Sequence, residues 1–145
     1  MPQINPCHLE DIEADLAKSQ SDLSFVFHTC SDTNIGLVRT TNEDALYVDE
    51  KKGLWLVADG MGGQLRGDKA SASVIDNIRS FTPLETLTES IKDLETRFLL
   101  ANNTCRNMYG KKVVGSTVAA LFAYRSLAIF LWAGDSRIYR LRDGV

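Results

Sequence analysis

Leu54-Trp55-Leu56-Val57-Ala58-Asp59-Gly60-Met61-Gly62-Gly63 decides how this chain is read. Five of the six residues at 54–59 are apolar, which predicts a strand buried on both faces rather than a half-exposed one. Asp59 then emerges where the sheet stops, among three glycines. Gly60, Gly62 and Gly63 tolerate positive φ and, lacking a Cβ, let backbone carbonyl and amide groups approach an ion or a phosphate. A tight strand-to-helix turn needs one glycine. Three around an aspartate point to a working site.

Immediately upstream, Ala45–Asp49 reads as a second strand and Glu50-Lys51-Lys52-Gly53 as a hairpin connection. The start of one antiparallel strand lies beside the end of the next, so the hairpin carries Glu43-Asp44 to the same end as Asp59-Gly60. Arg39 precedes Glu43 by four residues, after a polar turn over Ser31–Gly36. Further back, residues 23–29 alternate as a strand with Leu23, Phe25 and Phe27 on one face. Leu9, Ile12 and Leu16 at helical spacing predict a modest amphipathic helix over about 8–19 with an acidic outer face. We divide the chain into an appended helical extension, 1–22, and a main unit, 23–145.

Downstream, residues 69–78 read as a helix with Ala70, Val74, Ile78 and Phe81 on one stripe. Its small first turn suits close packing on a sheet. Thr82-Pro83-Leu84-Glu85 has the form of a capping box with proline at the first helical position. It predicts a long helix whose stripe runs Leu84, Leu87, Ile91, Leu94, Phe98, Ala101, Cys105, Met108 and ends near Gly110. Such a stripe can serve a coiled coil, but with Ala101 and Cys105 in the seam it reads as packing within the protein. Residues 113–124 and 127–133 are two strands joined at Arg125-Ser126, both too apolar to be exposed on either face. The second delivers Gly134-Asp135-Ser136-Arg137, again an aspartate beside a glycine. Ile138–Arg142 alternates as a further edge strand, with a turn at Asp143-Gly144.

Composition narrows the function. A chain of 145 residues is one domain by length and buries roughly 68–70 % of its unfolded surface. The net charge of −3 leaves no basic footprint for nucleic acid, and no basic run exceeds two residues among the pairs at 51–52 and 111–112. Three cysteines without a CxxC pair read as free thiols in a reducing compartment. His28-x-Cys30 is half of a zinc pattern whose other half is missing. The N-terminus has no signal-peptide pattern and no stretch approaches the ~18 apolar residues of a membrane span, so we expect a cytoplasmic protein with no membrane partner.

Glu43, Asp44, Asp59 and Asp135 are carboxylates at strand ends with no histidine or cysteine close by in sequence. Oxygen donors alone select hard cations, magnesium or manganese, over zinc. The planar fork of Arg39 can hold a phosphoryl group bidentately beside them. Together they suggest a two-metal hydrolase acting at phosphorus. A dinucleotide-binding loop at Gly60-x-Gly62 fails, because Leu65 stands at the third glycine and no Walker lysine follows.

Four motifs in order, Arg39-x-x-Asn42-Glu43-Asp44, Val57–Gly63 with Gly67 and Ala70-Ser71, Gly115-Ser116-Thr117, and Gly134-Asp135-Ser136-Arg137, resemble the PPM family. These are the metal-dependent serine/threonine protein phosphatases of type 2C, and Met61 is closest to bacterial members. The resemblance covers about 31–142. It implies an α+β fold in which antiparallel sheets form a β-sandwich flanked by helices in α-β-β-α layers, here truncated. It also implies two magnesium or manganese ions, with a third in some members. By the same resemblance Asp59 bridges both metals, Glu43 and the Gly60 carbonyl complete one shell, and Asp44 supports the site through water. Arg39 binds the substrate phosphate, and Asp135 matches a ligand of the third metal. The implied reaction is hydrolysis of phosphoserine or phosphothreonine by a metal-activated water, with phosphorylated proteins as substrates and a cognate serine/threonine kinase as partner. Met61 replaces a histidine proposed as general acid in other members, and a thioether cannot donate a proton. The family's later motifs, with two more metal-binding aspartates, have no counterpart here. These residues alone are therefore expected to bind metal weakly, to be nearly inactive and to self-associate. A pseudo-phosphatase that binds a phosphoprotein without turnover is the alternative.

Overall fold

The organising run forms an eight-residue strand that carries Asp59 inside it rather than beyond its end. In a computed structural model of the protein, residues 6–18, 25–62, 66–108 and 114–144 are described, the side chains of Pro6, Cys7 and Met108 excepted. The elements are α1 (Pro6–Lys18), β1 (Asp44–Asp49), β2 (Leu54–Met61), α2 (Gly67–Arg79), α3 (Leu87–Met108), β3 (Gly115–Ser116), β4 (Val118–Tyr124) and β5 (Leu127–Ala133). The sheet is antiparallel in the order β1-β2-β4-β5, with β3 also on β2. The fold is α+β, one sheet with helices packed on it. Gly63 of the glycine cluster, Leu23 of the first predicted strand, Val113 and Gly110 lie outside the described residues.

Burial along β2 alternates. Leu54, Leu56, Ala58 and Gly60 are buried, while Val57 and Met61 are 48 % and 57 % exposed. The expectation of a strand buried on both faces is corrected here, because α2 lies against one face of β1 and β2 and no described helix covers the other. The same correction applies to β5, where Phe130 and Trp132 are exposed and Leu131 is buried. Apolar content reports only that both faces are apolar, not that both are covered. The core lies on the helix side, with Phe81 edge-on to Phe122 at 5.4 Å among Leu54, Ile78, Leu87, Ile91 and Leu94. At this face the small first turn of α2, with Ala70, Ser71 and Ser73 buried, brings the helix close to the sheet.

Two predicted strands form no ladder. Residues 25–30 run without strand pairing. Their alternation is used instead to pack on the sheet, since Phe27 sits edge-on to Trp55 at 4.7 Å and the Trp55 Nε1–H donates to Thr29 Oγ1 at 2.8 Å. Ile138–Arg142 likewise has no strand neighbour among the described residues, and Tyr139 and Leu141 remain exposed. The predicted strand over 113–124 is interrupted at Thr117, between β3 and β4.

α3 begins four residues later than expected. Thr86, not Thr82, caps it: Thr86 Oγ1 accepts the Glu89 N–H at 3.1 Å and donates to Glu89 Oε2 at 2.9 Å. Thr82-x-x-Glu85 and Thr86-x-x-Glu89 have the same form, and packing chooses between them. The later start buries Leu87 and leaves Leu84 46 % exposed, while buried Ser90 accepts the Leu84 N–H and donates to the Thr86 carbonyl. Thr86→Ala should therefore destabilise the protein by about 1 kcal/mol, and Thr82→Ala by much less, read by urea denaturation.

α1 docks on α3 rather than hanging free. Leu9 joins the core, though Ile12 of the expected stripe is exposed. The Glu13 carboxylate accepts the Thr88 Oγ1–H at 2.7 Å and the Thr88 N–H at 3.2 Å. Cys30 and Cys105 are free thiols, as read. No described helix is long and apolar enough to cross a membrane.

Candidate active site

The β1–β2 hairpin fixes the site's first pair. Gly53, at φ +64°, closes the turn by donating its N–H to the Glu50 carbonyl at 3.2 Å. The resulting register sets Asp44 directly across from Asp59, and the Gly60 N–H donates to the Glu43 carbonyl at 3.0 Å. Like charges opposite one another in a ladder repel. Their placement makes sense as a binding arrangement.

Asp59 is held by its other neighbour through a side chain. The register puts Thr117 opposite it, and the Thr117 N–H donates to the Asp59 carbonyl at 2.8 Å. The return bond goes from the Asp59 N–H to the Thr117 hydroxyl at 3.0 Å, in place of a main-chain carbonyl. Thr117 Oγ1 is in turn 2.6 Å from Ser136 Oγ. Gly134 makes this approach possible, since at φ +95° a Cβ there would stand 2.8 Å from Thr117 Cγ2. Both glycine-containing motifs therefore close on the strand that carries Asp59.

On the helix side, Gly60 and Gly67 meet backbone to backbone. A Cβ on Gly60 would fall on the Gly67 carbonyl group and 2.9 Å from the Glu43 carbonyl oxygen. A Cβ on Gly67 would strike the Glu43 carboxylate and the Gly60 carbonyl oxygen. Two of the expected donors, the Glu43 side chain and the Gly60 carbonyl, thus converge at the start of α2. On the open side, Asp44 and Asp59 line a cleft of about 400 Å³ together with Asp32, Thr33, Asn34 and Ser136. Desolvation, then the charges of Asp44, Asp135 and Glu43, push the Asp59 carboxyl above its ordinary range, with Arg39 pulling the other way.

The structure thus gathers Asp59, Asp44, Glu43 and Gly60 at one sheet end, with Asp135 and exposed Arg39 within electrostatic reach. It does not close them into a finished cage: among the described residues no three carboxylate, histidine or cysteine side chains come close enough to hold a metal ion. The donors fit a hard divalent cation in kind, being all oxygen and carrying surplus negative charge that raises the Asp59 carboxyl. Sequence reasoning missed Asp32 and Asn34, read only as turn formers, and gave Thr117 and Ser136 no task although their motifs were noted.

No protein-family profile matches the chain. Individual proteins do. PppA, described as a key regulatory component of T6SS in Pseudomonas aeruginosa, has a structure 41 % identical at a TM-score of 0.71, covering 77 % of this chain and 50 % of that one. The Mycobacterium tuberculosis serine/threonine phosphatase PstP is 32 % identical at a TM-score of 0.67, covering 76 % and 48 %, and the PstP catalytic domain has been solved with two manganese ions. The serine/threonine phosphatase stp of Listeria monocytogenes is 31 % identical over 127 residues, 78 % of this chain and 49 % of that protein. The chain spans about half the length of stp and of the solved PppA and PstP chains, and 24 % of full-length PstP. By these likenesses in sequence and fold, the chain belongs to the bacterial PPM family of serine/threonine phosphatases.

Proposed function

We propose that this chain carries the nucleophile-side half of a metal-dependent protein phosphatase site acting on phosphoserine and phosphothreonine. The observation that carries the reading is the pairing of Asp44 with Asp59 across one ladder, beside the Gly60–Gly67–Glu43 cradle. Asp59, Glu43, the Gly60 carbonyl and Asp135 would hold magnesium or manganese, with Asp44 in support. Bound cations would supply neutralisation of the phosphoryl oxygens and acidification of the attacking water. The chain's own contributions are positional. β1 and β2 hold the carboxylates in register, the Thr117 hydroxyl fixes the Asp59 backbone, and Arg39, exposed and within electrostatic reach of Asp59, would offer two parallel donors to a phosphoryl group. Met61 is exposed beside the site and has no proton to give.

The test is release of phosphate from a phosphothreonine peptide by this chain and by a version extended to the length of its relatives. The extended protein should turn over only with added manganese or magnesium, and this chain far more slowly. Full activity after exhaustive chelation would overturn the reading, and equal rates per mole would show that the described residues complete the site. A non-catalytic phosphoprotein-binding role is the second reading, favoured by the absence of a closed cage among the described residues. Tight phosphopeptide binding without turnover by the extended protein would establish it.

A further inference from the structure

Side chains secure the backbone of both facing aspartates, one from each side of the hairpin. The Gly60 N–H donates to the Glu43 carbonyl, which makes residues 43 and 60 a hydrogen-bonded pair and leaves the next pair, Asp44 and Asp59, without a main-chain bond between them. Such pairs bring their Cα atoms to about 4.5 Å, with the side chains at their closest. Two like charges therefore stand at a ladder position where the main chain does not tie the residues to each other. Their N–H groups point outward instead, and a side-chain oxygen takes each one. Asn42 Oδ1 accepts the Asp44 N–H at 3.0 Å, and Thr117 Oγ1 accepts the Asp59 N–H at 3.0 Å. Both holders have a second bond. The Asn42 Nδ2–H donates to Thr33 Oγ1 at 2.8 Å, and Thr117 Oγ1 lies 2.6 Å from Ser136 Oγ. Thr33 and Ser136 line the same cleft as Asp44 and Asp59.

Given the phosphatase function proposed above, on which the cation's part rests, we propose that Asn42 and Thr117 are a matched pair of positioning residues. They hold the two facing aspartates against their mutual repulsion, ready for a cation, and each ties one further lining residue of the cleft to that pair. Asn42 suits the task because its side chain is acceptor and donor at once: the oxygen closes back on the N–H two residues later, and the amide reaches the polar turn that carries Thr33. Thr117 achieves the same with one hydroxyl, which both accepts and donates. Both act through the carboxylates rather than on the substrate. The arrangement is local to β1, β2 and the turns beside them, so it persists in any longer protein that contains this hairpin.

Amide exchange and metal binding test it together. In the metal-free chain, Asn42→Ala should speed exchange of the Asp44 amide proton about fivefold to tenfold, as expected for one lost hydrogen bond, and leave the Asp59 amide as it was. Thr117→Val should do the reverse. Thr117→Ser keeps the hydroxyl and should restore the Asp59 amide, and Asn42→Ser should restore the Asp44 amide without the tie to Thr33. In the chain extended to its relatives' length, manganese binding read by calorimetry should weaken roughly tenfold in both Asn42→Ala and Thr117→Val. KM for a phosphothreonine peptide at saturating manganese should stay near the parent's. Unchanged exchange at both aspartates, equal acceleration along the whole of β1 and β2, or manganese affinity equal to the parent's in both variants would each overturn the proposal. Exchange needs no turnover, so failure of the phosphatase function itself shows separately, as absent phosphate release by the extended parent.

Discussion

Asp59→Asn should lower kcat by about a thousandfold or more, ~4 kcal/mol of transition-state stabilisation, in the chain extended to its relatives' length and assayed with manganese. Asparagine keeps the shape and both backbone bonds to Thr117, so the loss isolates the charge at the position where Asp44, Glu43 and Asp135 converge. Stability should move the other way. The Asp59 carboxyl is raised by desolvation and by three neighbouring carboxylates, so removing its charge relieves repulsion and the metal-free variant should melt higher than its parent. Arg39→Ala should instead raise KM about tenfold to a hundredfold with little change in kcat. Arg39 is exposed just past the turn at 36–38, and in the proposed role its phosphate binding is shared by ground and transition states. Equal losses of kcat from the two variants would contradict these roles.

Gly60→Ala should destabilise the protein by about 3 kcal/mol or more and abolish activity in what still folds, read by urea denaturation and by phosphate release. The reason is that the obstacle is backbone on both sides. A methyl group at Gly60 falls on the Gly67 carbonyl group and crowds the Glu43 carbonyl, and neither can rotate away as a flexible side chain would. Relief requires α2 to move off β2, which opens the packing of Ala70 and Val74 and separates Glu43 from the Gly60 carbonyl. Alanine at Gly62, where the nearest atoms are side-chain carbons of Arg66 and Val114 at 3.0 Å and beyond, should be milder. Comparable losses at both positions would show that the effect is general glycine flexibility rather than this contact.

The hairpin that builds the site was legible because its signals are local. A glycine turn and an antiparallel return put Glu43-Asp44 and Asp59-Gly60 at one end whatever the register, and the register observed sets Asp44 opposite Asp59. Which face of a strand is covered was not legible, since Phe130 and Trp132 look the same in sequence whether a layer lies over them or not. The start of α3 was ambiguous for a similar reason. Two identical capping patterns stand four residues apart, and the burial of Leu87 and Ser90, a tertiary fact, selects the second. At the site, the carboxylates announced themselves by their motifs. Asp32 did not, because its path to the cleft depends on Asn42 donating its side-chain amide to Thr33 Oγ1, a contact between two polar turns.

The hydroxyl link from Asp59 through Thr117 to Ser136 also orders events during synthesis. β1 and β2 are adjacent in the chain and can pair as soon as both have left the ribosome. The partner that fixes the Asp59 backbone from the other side comes much later, and its own support at Ser136 later still. Non-local pairing of this kind is the slow part of β-sheet formation. The nascent chain therefore displays its acidic hairpin before Thr117 and Ser136 are there to secure the Asp59 backbone. Assembly of the site is thus a late, vectorial step, timed by a threonine more than fifty residues downstream of the aspartate it secures.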